Sequence, residues 1–89
     1  MSDRVALIEE RLRSTLAPVS LEIIDDSIAH AGHAGAKEGG HFTVCIVSAA
    51  FAGKTLIQRH RLIYAALADL MRRDIHALSI SKAQTPDED

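Results

Sequence analysis

Val5, Ile8, Leu12 and Leu16 recur at three- and four-residue intervals, with Arg4, Glu9, Glu10, Arg11 and Arg13 between them. That period predicts an amphipathic helix over about residues 3–16, and Pro18 stops it. The period then changes to two. Residues 20–27 (SLEIIDDS) set Leu21 and Ile23 against Ser20 and Glu22, a strand that fades into acidic residues. Residues 41–48 (HFTVCIVS) carry the strongest strand pattern, with Phe42, Val44 and Ile46 on one face and Thr43, Cys45 and Val47 on the other. After a break at Ala52-Gly53, Leu56, His60, Ile63, Leu67, Leu70 and Met71 form one helical stripe over about residues 55–73. Residues 75–83 alternate again, Leu78 and Ile80 against Ser79 and Ser81, and predict a third strand.

The first two strands follow each other in the chain and predict an antiparallel hairpin. The last strand follows a helix and suits a parallel pairing through a right-handed crossover. Both helices have one apolar face, so both belong on one side of the sheet. The expected fold class is α+β, a two-layer sandwich with a three-stranded mixed sheet and helices on one face. Its order is αββαβ, or α-β-β-α-α-β with the second helical stretch counted as two. Eighty-nine residues make one domain over residues 1–89, with residues 83–89 expected as a flexible acidic tail.

Composition narrows the function classes. Apolar residues at 47% and charged residues at 25% are those of an ordinary globular domain. Phe42, Phe51 and Tyr64 are the only aromatics, so the core must be aliphatic. A net charge of −2 supplies no global field toward nucleic acid or an anionic membrane, and no apolar run is long enough to span a bilayer. Cys45 is the single cysteine. An intrachain disulfide or a multi-cysteine metal site is therefore excluded, and a reducing, cytoplasmic setting is expected. No phosphate-binding glycine fingerprint or nucleophile–base spacing stands out, so the chain is not expected to be an enzyme.

Histidine is the remaining candidate chemistry. Residues 30–42 (HAGHAGAKEGGHF) hold three histidines and four glycines, in a connection long enough to suggest a working loop. On spacing alone, His30, His33 and His41 read equally as solvated loop residues and as imidazole ligands. His76 starts the third strand and by alternation shares a face with Leu78 and Ile80, which favours a structural role; His60, inside the helical stripe, reads the same way. Lys54, Arg59 and Arg61 surround the start of the second long helix, with Leu62 beside them. A helix start favours anions, though an ordinary solvated face accounts for these residues as well.

Taken in order, His30-Ala-Gly-His33, His41-Phe42, Val47-Ser48, Phe51-x-Gly53, Arg59-His60-Arg61-Leu62-x-Tyr64, Ile75-His76-Ala77-Leu78 and Thr85-Pro86 resemble the BolA family over roughly residues 4–88. The resemblance implies a type II KH-like fold. It implies a partnership with a monothiol glutaredoxin, in which a [2Fe–2S] cluster is shared with that partner and with glutathione, and no cofactor is held by the isolated chain. It places the metal ligands at His76 and His33, with His30 as the competitor in the loop. Lys54, Arg59, Arg61 and Leu62 then meet the partner or its glutathione carboxylates. The alternative is a nucleic-acid-binding transcriptional regulator using that basic patch to hold DNA. A homodimer is the state considered for the chain alone.

Overall fold

The computed structural model describes residues 3–26 and 40–88. Helix α1 (Asp3–Leu16) leads into strand β1 (Ser20–Asp25), and β2 spans Gly40–Val47. A 3-10 turn over Ala49–Phe51 precedes α2 (Leu56–Ala66), the single turn α3 (Ala68–Met71) and β3 (Ile75–Gln84). The sheet order is β1-β2-β3, with β1 antiparallel and β3 parallel to the central strand. The α+β sandwich and its mixed sheet are therefore as the pattern predicts.

Ile8, Leu12 and Leu16 stand one turn apart on α1 and are buried against Phe42, Val44 and Ile46 of β2. Each such side chain contributes about 1.5–3 kcal/mol relative to exposure. Leu21 and Ile23 of β1 and Leu78 and Ile80 of β3 flank this core, so both helices cover one sheet face. Arg11 on α1 donates through Nη2 to Asp69 of α3 at 3.0 Å, tying these two helices together at the rim of the helical layer. That guanidinium holds the Asp69 carboxyl below the usual carboxylate range. No helix among the described residues is long and apolar enough to cross a membrane.

The helical stretch over residues 55–73 forms two helices, one of the two orders the pattern allows, and divides at Leu67, whose ψ of 12° leaves the helical region. Its N–H is shared between the carbonyls of Ile63 and Tyr64. Ile63, Leu67 and Leu70 are all buried across that break, so hydrophobic periodicity cannot register it. The stripe is also rotated: Leu56 is 61% exposed, whereas Leu62 packs against the core. Cys45 is half-buried on the sheet face away from the helices, the face that alternation gives it. Finally, residues 83–88, expected as a flexible tail, are strapped to the body. Ala83 and Thr85 are buried, and Glu88 is bound to Arg59.

The open end of the sheet and the face of the second helix

Because β2 and β3 run parallel, their first residues lie at the same end of the sheet. Gly40 pairs with Ile75, and the Gly40 N–H donates to the Asp74 carbonyl at 3.0 Å. The next pair is irregular: His41 lies opposite Ala77, which leaves His76 as an extra residue in β3. Such a bulge re-aims a side chain. It keeps Ile75 and Leu78 on the core side while His76 turns to the open face. Sequence alternation had put His76 with Leu78 and Ile80; the bulge is the reason it is not.

The result is a histidine pair. The rings of His41 and His76 have centroids 5.1 Å apart and planes inclined at 46°. His76 is exposed and His41 half-buried. On the other side of His41, its carbonyl accepts from the Asp26 N–H at 2.7 Å, and the Asp26 carboxylate accepts from the Thr43 hydroxyl at 2.6 Å. Asp26 and Gly40, which bracket the segment carrying His30 and His33, are thus both fastened beside this pair. His30 and His33 themselves lie outside the described residues.

Two neighbouring imidazoles can present two nitrogen donors to one metal centre. Among the described residues, no group of three or more His, Cys, Asp or Glu side chains is placed to hold a metal ion. The pair can therefore complete a coordination sphere but not close one, since stable sites commonly need four ligands. His41 was missing from the ligand set expected from sequence. The signal was present: a parallel pairing of two strands that each begin at a histidine brings both histidines to one end.

Of the four residues expected as one patch on the second helix, three stay together and Arg59 is drawn to another partner. Arg59 is spoken for. Its Nη1 and Nη2 bind the two carboxylate oxygens of Glu88 at 2.6 and 2.9 Å. Its Nε donates to the Lys54 carbonyl, its Nη1 also reaches the Ala83 carbonyl, and it lies over the Phe51 ring at 6.0 Å. Lys54, Arg61 and Leu62 do converge, with Gln58, around a shallow recess of about 230 Å³.

That recess is not beside the histidines. Arg59 meets β3 at Ala83 and Tyr64 meets it at Leu78, so α2 runs antiparallel to β3. The start of α2 and the start of β3 therefore lie at opposite ends of the sheet. The structure brings His41 to His76 and leaves the basic residues elsewhere.

Comparison with known proteins agrees with this fold. A model of the BolA family, described as BolA-like protein, matches residues 12–88. The chain is 46% identical over 94 residues to SufE-like protein 1, chloroplastic/mitochondrial, of Arabidopsis thaliana, covering 99% of this chain and 25% of that protein. It is 42% identical over 73 residues to the DNA-binding transcriptional regulator BolA of Escherichia coli (strain K12), covering 82% of this chain and 68% of that one. The solved BolA domain of SufE1 from Arabidopsis thaliana superposes with a TM-score of 0.86 at 49% identity, covering 100% of this chain and 99% of the domain. The chain thus spans a quarter of the SufE-like relative's length and about two thirds of the bacterial regulator's.

Proposed function

Because the chain belongs to the BolA-like protein family, we propose that it is a non-enzymatic partner of a monothiol glutaredoxin in [2Fe–2S] cluster assembly, trafficking or iron regulation. Its part is to supply imidazole ligands to a cluster shared with that partner and with glutathione. The observation that supports this reading is the pairing of exposed His76 with half-buried His41 at the open end of the sheet, 5.1 Å between centroids. The pair offers two nitrogens and needs its remaining donors from another molecule. A chain whose single thiol, Cys45, stands away in the middle of β2 must look outside itself for thiolates, and a reducing, cytoplasmic setting suits such a partnership. Imidazole in place of thiolate makes a [2Fe–2S] centre less negative and raises its potential.

His76 is the first ligand in this reading. The second is His41, which the fold sets beside it; His33, with His30 as its competitor, is the candidate by family resemblance. Anaerobic reconstitution with a monothiol glutaredoxin and glutathione separates them by visible absorption and circular dichroism. His76→Ala is expected to change the spectrum and weaken the heterocomplex. Of His41→Ala, His33→Ala and His30→Ala, the variant that reproduces that change identifies the second ligand. An unaltered spectrum for His76→Ala overturns the assignment.

A nucleic-acid-binding regulator is the second reading, favoured by the name of the Escherichia coli relative. It predicts salt-dependent DNA binding lost with Arg61→Ala. The commitment of Arg59 to Glu88 and the net charge of −2 weigh against it.

A further inference from the structure

We propose that the N-terminal end of α2 is a second docking surface, which takes an acidic, aliphatic-bearing segment of a protein partner. Lys54 and Arg61 stand on the rim of the recess lined also by Gln58 and Leu62. Neither forms an ion pair with a described residue, although the chain as a whole carries more carboxylates than cations. On the same side of the helix Ile57 is 65% exposed, the largest exposure among large apolar residues of this helix. Ile57 and Arg61 are one turn apart and therefore neighbours on the helix surface.

This surface is held in shape before anything binds. The Thr55 hydroxyl accepts from the Gln58 N–H at 3.2 Å, and the Gln58 side-chain oxygen accepts from the Thr55 N–H at 2.9 Å. That reciprocal cap fixes the first turn of an eleven-residue helix, whose positive end adds to the attraction for a carboxylate. A prearranged surface loses little entropy on binding.

Charge complementarity and the exposed aliphatics choose the occupant together. Carboxylates of an acidic segment suit Lys54 and Arg61, and its aliphatic side chains suit Ile57 and Leu62. A nucleic-acid backbone would answer the two cations but not the aliphatics. The third cation that would help hold it, Arg59, is bound to Glu88. Ala83, at this end, is seven residue steps along β3 from His76, about 23 Å at the usual rise per residue. The surface can therefore be filled while the histidine pair is engaged, and it does not depend on the cluster reading.

Titrating the ¹⁵N-labelled full chain with the capped peptide Glu-Leu-Asp-Leu-Glu tests this. Saturable amide shifts are expected across residues 54–62, with none at His41 or His76. Lys54→Glu combined with Arg61→Glu is expected to weaken binding by about tenfold or more. Ile57→Ser is expected to weaken it too, and Arg73→Glu, at the other end of the helical layer, to leave it unchanged. Lys54→Gln with Arg61→Gln replaces the charge reversal if spectral dispersion is lost. Absence of saturable shifts, an equal response to Gln-Leu-Asn-Leu-Gln, or tighter binding of a single-stranded DNA of about 12 nucleotides through the same amides would overturn the proposal.

Discussion

The guanidinium of Arg59 grips the carboxylate of Glu88 at two points, 2.6 and 2.9 Å, across twenty-nine residues of chain. Glu88 also caps its own turn, since its carboxylate accepts from the Thr85 N–H at 3.1 Å and its N–H donates to the Thr85 carbonyl. Hydrogen bonds from Arg59, then from Thr85, pull the Glu88 carboxyl from an ordinary 4.5 down to about 2. A carboxyl whose pKa is lower in the folded chain stabilises the fold above its unfolded value. It loses that contribution as pH falls through the folded value. The window therefore runs from pH 4.5 down to about 2. Glu88→Gln keeps the shape and removes the charge. Wild type is expected to melt above this variant at pH 7, with the difference shrinking below pH 4.5 and gone near pH 2. Calorimetric scans across that range check it; a constant difference would show that the pair does not carry the strap.

His76 and Phe42 should separate function from packing. His76 is exposed at the sheet end, so His76→Ala should shift unfolding free energy by no more than about 0.5 kcal/mol. Phe42, one residue beyond the other histidine, is 2% exposed in the core. Phe42→Ala should cost about 3–5 kcal/mol. Urea titration of both variants measures this. A large loss for His76→Ala would make the ring a structural element and remove the reason to treat it as a ligand.

What was legible in the sequence was periodic. Phe42, Val44 and Ile46 show their common face by alternation, and Ile8, Leu12 and Leu16 show theirs by helical spacing; burial follows both. The parallel register that joins His41 to His76 is not periodic. It is set by a bulge that forms between two strands thirty-five positions apart. The same holds for Arg59, whose partner is remote in sequence, and for Leu62. Its burial in place of Leu56 depends on how α1 and β3 set the rotation of α2. Local pattern states which residues want to be covered. Only the assembled layers state which face receives the cover.

Ser48 shows the same dependence in its hydrogen bonds. It is fully buried, donates its hydroxyl proton to the Leu16 carbonyl at 2.5 Å and accepts from the Ala50 N–H at 3.1 Å. One oxygen thus satisfies the end of α1 and starts the turn that buries Phe51. Ser48→Ala leaves a buried carbonyl and an amide without that partner, at a cost of about 1.5–3 kcal/mol. The urea midpoint should fall with the slope of the transition unchanged. A fall of less than about 0.5 kcal/mol would mean that water takes over both bonds.

Ala17 closes α1 in a conformation that alanine tolerates poorly. Its φ is +44°, in the left-handed region, and its N–H donates to the Arg13 carbonyl at 3.1 Å. This is the turn that commonly ends a helix with glycine. A β-carbon in that region costs roughly 1–2 kcal/mol, whereas glycine's added chain entropy costs about 0.5–1 kcal/mol. Ala17 is exposed, so removing its methyl group sacrifices no buried contact. Ala17→Gly is therefore expected to stabilise the protein by about 0.5–1 kcal/mol, raising Tm by about 2–8 °C for a domain of this size. Thermal melting by circular dichroism reads the shift directly. An unchanged or lower Tm would show that the backbone after Leu16 relaxes out of the left-handed region without penalty.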